Sequence, residues 1–461
     1  MAENKRLNEY TPKVCIVGLG TAGIGAALTF LDSDLATDVL CLDAGKHLND
    51  RSCSILQNRI CRKEKPCQIV SGTGGCSLFG SKISVFPAGG GLADILGSKE
   101  LAQRKLSQAF SLLNNYLSLQ KPNVTQSKRK SAKELFWKMG FKYKYYDAYL
   151  YNQEELQKSY QKIFLQLKSA GMLLLLNTKL IQIDSNEDGF ELVAIRNGQK
   201  IAISTKYLVL GIGRLGRSLL ESLNIKLSLG GKENQLDVGV RLEFPTDLYS
   251  DINKYHNDLK LLFNDARTFC VCKNGKIAPY FLEGVYFTEG YYNPMCRSGL
   301  TNLGILIRLK PSPQNKLIFD EIKKRALKIS DGKPCAQRLP DYLGICVKTH
   351  KFSKSFDSSI FGIQTDVNQY FPQPISAKIK KAVHYFASRL LPSDRWDEVI
   401  VFAPEVDYGG LFFPVNSDFS IIPRMYLIGD CTGRFRGILQ AFCSGIVCAE
   451  SIIGDENEKN L

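Results

Sequence analysis

The sequence predicts an α/β fold: a dinucleotide-binding domain of the Rossmann type, discontinuous in sequence, with an α+β substrate or cap domain inserted into it. Three observations predict it. Val14-Cys15-Ile16-Val17-Gly18-Leu19-Gly20-Thr21-Ala22-Gly23 reads as a buried strand turning through a glycine loop into a helix, the geometry that seats a pyrophosphate on a helix N-terminus. A run of short strand patterns from Met172 to Ser204 feeds a second apolar strand that ends in Gly211-Ile212-Gly213. Near the other end, Met425-Tyr426-Leu427-Ile428-Gly429-Asp430-Cys431-Thr432-Gly433 supplies a third apolar strand closing on Gly-Asp.

The elements follow in order. Residues 1–13 are polar and predict a short disordered lead-in. Val14–Val17 is the first strand, and Ala22–Phe30 is a helix with small residues where it approaches that strand. Val39–Leu42 is the second strand, with Asp43 at its end, 20 residues past Gly23. At that distance a carboxylate accepts hydrogen bonds from adenosine ribose hydroxyls, the alternative being a helix cap or loop acid. Residues 46–70 look irregular and carry Cys53, Cys61 and Cys67. Ser71-Gly72-Thr73-Gly74-Gly75-Cys76-Ser77-Leu78-Phe79-Gly80-Ser81-Lys82 is too glycine-rich for a regular element, and Gly89-Gly90-Gly91 follows. Two such loops in succession favour close backbone approach to a ligand.

Residues 97–170 read as mostly helical and basic, with Gln126-Ser127-Lys128-Arg129-Lys130 and Phe141-Lys142-Tyr143-Lys144-Tyr145-Tyr146 standing out. A solvated helical face over an aromatic seam is one reading; a cationic, aromatic surface for nucleic acid or a nucleotide is the other. From Met172 the period changes to that of short strands, with a turn at Asn197-Gly198. A β-meander returning to a buried strand is the plan of an FAD domain of the glutathione-reductase type. On this plan the second glycine pattern, Gly211 to Gly216, belongs to the crossover strand of the same domain, since no strand ending in an acid follows it as a separate NAD site requires. The glycine loop paired with the late Gly-Asp strand points to FAD rather than NAD. The expected organisation is 1–95, first part of the FAD domain; 96–170, basic helical segment; 171–225, meander and crossover strand; 226–398, substrate or cap domain; 399–461, second part of the FAD domain.

The 461 residues exceed one average domain, and an apolar content of 44% is ample for a core. No uninterrupted apolar run reaches the roughly 18–20 residues of a membrane span. The apolar stretch at Val14 starts too late and is too rich in glycine for a signal peptide, so a cytoplasmic location is expected. The 14 cysteines are then expected to be reduced thiols. A net charge of +15 favours an anionic partner.

Together these motifs resemble the FAD-dependent oxidoreductase superfamily, and more narrowly a family described only as uncharacterised FAD-dependent dehydrogenases. The narrower likeness is carried by Cys67-Gln68-Ile69-Val70-Ser71-Gly72-Thr73-Gly74-Gly75 running to Phe79 and Lys82, and by Asp237-Val238-Gly239-Val240-Arg241-Leu242-Glu243. Arg267-Thr268-Phe269-Cys270-Val271-Cys272, Gln337-Arg338-Leu339 with Asp341, and Gly429-Asp430 through Arg436-Gly437-Ile438-Leu439-Gln440-Ala441 complete it. The family's glycine block usually has Ala where Cys76 stands, and one expected cysteine of the preceding segment is missing.

The resemblance implies FAD as cofactor, with NADH or NADPH a candidate diffusible electron donor. Gly18, Gly20, Thr21, Ala22 and Gly23 are expected at its pyrophosphate, Asp43 at the adenosine ribose, and Gly74 and Gly75 as a second approach. Gly211 and Gly213 are expected beside them, Asp430 at the ribitol or as a helix N-cap, and Gly437 and Ile438 at the flavin pyrimidine edge. Lys82, Arg434 and Arg436 are the catalytic candidates, as binders of an anionic substrate, with Arg267 and Arg338 as further cations of the inserted domain. No metal is expected: His47, His256, His350 and His384 lack ligand spacing, Cys53, Cys61, Cys67 and Cys76 match no standard cluster, and Cys270-Val271-Cys272 is not a CxxC pair. The expected activity is hydride transfer between flavin and a small, anionic or unsaturated substrate. A flavoprotein that modifies or binds nucleic acid, and a non-catalytic redox sensor or assembly subunit, are the alternatives. Oligomeric state is encoded in no motif.

Overall fold

The computed structural model describes residues 8–58, 60–78, 80–249, 252, 254–295, 297–345 and 358–459; Phe79 and His350 lie outside them. The first domain is built on β1 (Val14–Val17), β2 (Val39–Leu42), β3 (Leu173–Leu175), β4 (Tyr207–Leu210) and β5 (Met425–Leu427). They are parallel, in the order β3-β2-β1-β4-β5, and Ser420–Ile422 adds an antiparallel edge beside β5. Every residue of β1, β2 and β4 is buried, because a parallel sheet covered on both faces requires apolar side chains on both.

The alternation of side chains sorts β1 between two layers. Val14 and Ile16 pack with helix α1 (Thr21–Thr29) and helix α2 (Ile438–Lys459). Cys15 and Val17 pack with the meander strands Thr178–Ser185, Phe190–Arg196 and Gln199–Thr205. From β1 the chain winds outward through β2 to β3, then returns to β4 and winds the other way to β5. The crevice at the C-terminal ends of β1 and β4 is therefore the topological switch point, where open α/β sheets place ligands. The architecture is a glutathione-reductase-type Rossmann domain with an inserted α+β domain.

The inserted domain is an eight-stranded sheet in the order Ile363–Gln364, Cys335–Arg338, Ile400–Tyr408, Leu236–Pro245, Leu300–Leu309, Ala266–Cys272, Lys260–Phe263, Lys142–Lys144. Helices Gln314–Ser330 and Gln373–Leu390 contribute Phe319, Ile322, Ile379 and Phe386 to the core over Val238, Val240 and Ile305.

Four expectations are corrected. The domain boundary at 399 moves, because Ile400–Tyr408 pairs with Leu236–Pro245 and Cys335–Arg338 in the eight-stranded sheet. The segment 96–170 is helical at Lys99–Asn114, Gln126–Lys138 and Gln153–Ser169, yet its Lys142–Lys144 forms the outer strand of that same sheet. Leu173–Leu175 joins the parallel sheet instead of the meander. Within the polar lead-in, Asn8–Tyr10 is a strand alongside Ile201–Ile203. Among the described residues one helix, α2, is long and apolar enough to cross a membrane, but 56% of its apolar window is buried in the structure and it packs along α1.

Candidate functional site

A cavity of about 560 Å³ opens at the switch point. Gly18, Gly20, Thr21 and Ala22 line it from the β1–α1 turn, Asp43 from the end of β2, and Gly75 from the second glycine loop. Gly211 and Gly213 enter after β4, Gly429 and Asp430 after β5, and Gly437 and Ile438 at the start of α2. Sequence segments from Gly18 to Ile438 thus meet on one space.

Two glycines make the meeting possible. Gly18 has φ +97° and a Cβ there would strike the Gly211 carbonyl oxygen, so the β1 and β4 loops touch only without a side chain. At Gly23 a Cβ would strike the Gly18 carbonyl oxygen. Gly23 therefore lets α1 pack onto the loop and does not line the cavity. Gly74 is the other expected residue set back from it: its N–H donates to the Leu19 carbonyl at 2.9 Å, joining the two glycine loops.

Asp43 accepts from Leu19 N–H at 2.8 Å and from Gly45 N–H at 2.7 Å. Burial raises its pKa, and those two N–H groups and Arg51 oppose the rise. The loop-acid role weighed from sequence is thus realised, on a residue that also lines the cavity. The thiol of Cys76 sits in the same wall.

Asp430 accepts from Arg436 Nε at 3.1 Å and lies 3.9 Å from Arg214 Nε. Arg436 also donates to Asp407 of the inserted domain, and Arg214 lies 3.5 Å from Glu289. Burial raises the pKa of Asp430, with Arg214 opposing. Burial, with the neighbouring Arg214 charge, lowers that of Arg436 to about 10.

The other two catalytic candidates lie elsewhere. Lys82 is absent from the cavity lining: its ammonium donates to the Val271 carbonyl at 2.5 Å and is 3.4 Å from Asp258. Arg434 points away from the cavity, 3.6 Å from Asp94 and over the Phe412 ring. Arg267 is engaged by Asp237 and Asp407, and Arg338 donates to the Asp397 carbonyl. Among the described residues no group of three or more His, Cys, Asp or Glu side chains is disposed to hold a metal ion.

The basic segment forms a separate surface groove lined by Gln126, Ser127, Arg129, Lys130, Lys133, Tyr143 and Tyr145. There Arg129 stacks 4.1 Å from the Tyr145 ring and pairs with Asp147 at 2.9 Å.

Sequence reasoning missed three sets of lining or supporting residues. Thr178, Lys179 and Leu180 line the cavity from the start of the meander, and Lys65 and Pro66 from the irregular segment. Arg51, 7% exposed, donates to the carbonyls of Gln68 at 2.9 Å, Thr73 at 2.7 Å and Gly75 at 2.9 Å. Lying 20 residues before the glycine-rich loop, Arg51 carried no local sequence signal for this role.

No family model and no curated protein matches the chain. Solved structures align along almost its whole length. A geranylgeranyl bacteriochlorophyll reductase-like protein of Thermoplasma acidophilum shares 10% identity over 98% of this chain and 80% of its own, with a TM-score of 0.41. A mutant E. coli quinol fumarate reductase FrdA shares 11% over 98% of this chain and 72% of its own, with a TM-score of 0.41. Aklavinone-11 hydroxylase, solved as a ternary complex with FAD and aklavinone, shares 11% over 98% of this chain and 64% of its own, with a TM-score of 0.39.

Proposed function

We propose that the protein binds FAD in the switch-point cavity and is an FAD-dependent oxidoreductase, moving a hydride between the flavin and a small anionic or unsaturated substrate. The observation that carries this reading is the convergence of two glycine loops, the acid ending β2 and the Gly-Asp ending β5 on one cavity. The residues fit the group. The α1 N-terminus with Gly20, Thr21 and Ala22 offers backbone N–H groups and a helix dipole to a pyrophosphate. Asp43, which lines the cavity, would accept from a ribose hydroxyl, and Thr178, whose N–H donates to the Asp43 carbonyl, lines the cavity with Lys179 and Leu180. Gly437 and Ile438 also line the cavity at the start of α2, whose positive end favours negative charge on a flavin pyrimidine ring.

When bound, FAD supplies a two-electron centre that the protein positions and tunes. Arg436 and Arg214 surround Asp430 with positive charge, so that an anionic ring or substrate carboxylate meets a compensated site. Arg51 fixes the shape of the second loop through the carbonyls of Gln68, Thr73 and Gly75. The electron donor is NADH or NADPH in this reading.

Absorption spectroscopy and mass spectrometry of the purified native protein test it, followed by anaerobic titration with NADH and NADPH. Flavin bands, released FAD and bleaching by one nucleotide are expected. A colourless protein that takes up no added FAD would sink the proposal.

A further inference from the structure

Asp237 and Asp407 face each other as directly paired residues of neighbouring strands, an arrangement that repels unless a cation intervenes. Arg267 intervenes, donating to Asp237 and lying 3.4 Å from Asp407. On its other side Asp237 receives both Nε and Nη2 of Arg308 at 2.8 Å. Burial alone would raise the Asp237 pKa; Arg308 and Arg267 more than offset it and hold the carboxyl below its ordinary value. Asp407 in turn accepts from Arg436, Arg436 donates to Asp430, and Asp430 neighbours Arg214, which reaches Glu289.

The result is an unbroken row, Arg308–Asp237–Arg267–Asp407–Arg436–Asp430–Arg214–Glu289, alternating in sign and neutral as a whole. It starts at Arg308, whose side chain is 42% exposed, near the end of the interior strand Leu300–Leu309. It ends among residues lining the switch-point cavity, Arg436, Asp430 and Arg214. The geometry points to Asp407 and Arg267 as positioning residues of the inserted domain that set the charge Arg436 presents to the flavin. This rests on the FAD reading above.

The physical consequence is a pair of opposite signs. Arg436 is shared between Asp430 inside the cavity and Asp407 outside its lining. Removing the Asp407 charge leaves an excess positive charge next to the cavity, and a reduced, anionic flavin gains more from it than an oxidised neutral one. Removing the Arg267 charge leaves Asp407 paired with Arg436 and leaves an excess negative charge beside the cavity. Distortion of the fold has no reason to reverse sign between the two.

The test uses the full-length, FAD-loaded protein and its two-electron midpoint potential, read by equilibration with reference dyes. Asp407→Asn is expected to raise the ratio of affinities for reduced over oxidised flavin about tenfold, about 30 mV for a two-electron couple. Arg267→Gln is expected to lower it, and the double variant to return towards the wild type, a coupling that a double-mutant cycle measures. If Arg267→Gln fails to fold, Arg308→Gln at the exposed end of the row replaces it, with a smaller shift of the same negative sign. A potential unmoved by Asp407→Asn, or shifts of one sign in both variants, would overturn the inference. Failure of wild-type protein to hold FAD defeats the parent reading instead, so the two failures are distinct.

Discussion

The guanidinium of Arg51 holds the carbonyl of Gly75 at 2.9 Å and so fixes the second glycine loop, whose Gly74 N–H donates to the Leu19 carbonyl of the first at 2.9 Å. Arg51 is nearly fully buried, and burial lowers its pKa to about 10, still well above neutrality. A buried cation needs its hydrogen-bonding capacity filled, and the carbonyls of Gln68, Thr73 and Gly75 fill it. The loop geometry and the charge therefore depend on each other.

Arg51→Met removes the donors and leaves buried carbonyls without partners, which costs about 1–3 kcal/mol for each group left unsatisfied. We expect FAD affinity to fall by at least about tenfold, with a lower melting temperature. Lysine cannot reproduce the fork of donors, so Arg51→Lys is expected to restore little. Fluorescence titration of apoprotein with FAD reads the first effect and calorimetry the second. Wild-type affinity in Arg51→Met would refute the loop-anchoring role.

Gly18→Ala tests the contact between the β1 and β4 loops. The new methyl would meet the Gly211 carbonyl, at a backbone φ of +97° that L-residues rarely adopt. Strain of this kind costs on the order of 1–3 kcal/mol before the clash is counted. Protein purified without flavin, while circular dichroism stays near wild type, is the expected outcome. Retention of stoichiometric FAD would show that the loops separate freely.

Most of the first domain was legible because β1, β4 and β5 are short, fully buried and run into glycine turns, so period and punctuation agree, whereas the part-exposed β3 was not. β1 and β2 fall where the pattern puts them, and all the expected cofactor residues except Gly23 and Gly74 reach the cavity wall. The inserted domain was not legible, because its strands find partners far away in sequence. The first four residues of Ile400–Tyr408 are as apolar as a Rossmann strand, and pairing with Leu236–Pro245 and Cys335–Arg338 assigns the whole strand to the other sheet. The cations show the same limit. Lys82, Arg434 and Arg436 all sit close to glycine motifs, yet only Arg436 lines the cavity; where an arginine points depends on the carboxylates that the fold brings to it.

Lys82 gives that distinction an experimental form. It is buried in a pair with Asp258, and the Asp258 carboxylate also accepts from the Tyr146 hydroxyl at 2.8 Å and from Val271 N–H at 3.0 Å. Breaking a buried pair on one side costs about 3–5 kcal/mol. Lys82→Met should therefore lower the melting temperature while leaving FAD affinity and the flavin spectrum unchanged. A large fall in FAD affinity or a shifted flavin spectrum in folded Lys82→Met protein would return Lys82 to the cofactor site.

Glu456 ties the end of α2 to β4 and predicts a pH dependence. Its carboxylate accepts from Lys206 at 2.6 Å and from the Tyr207 hydroxyl at 2.8 Å, with Lys13 at 3.3 Å. Burial would raise its pKa, but these partners prevail and lower it to about 2, against an ordinary value of 4.5. A carboxyl whose folded pKa is depressed contributes stability that is fully present above its unfolded pKa and is lost as pH falls towards the folded one. The contribution should therefore hold at neutral pH and fade between about pH 4.5 and pH 2. Glu456→Gln is expected to cost about 1–2 kcal/mol at pH 7, and its denaturation midpoint should approach that of the wild type as the pH is lowered through this window. A difference that stays constant from pH 7 to pH 3 would mean that packing of the α2 terminus, and not the charge on Glu456, holds it to β4.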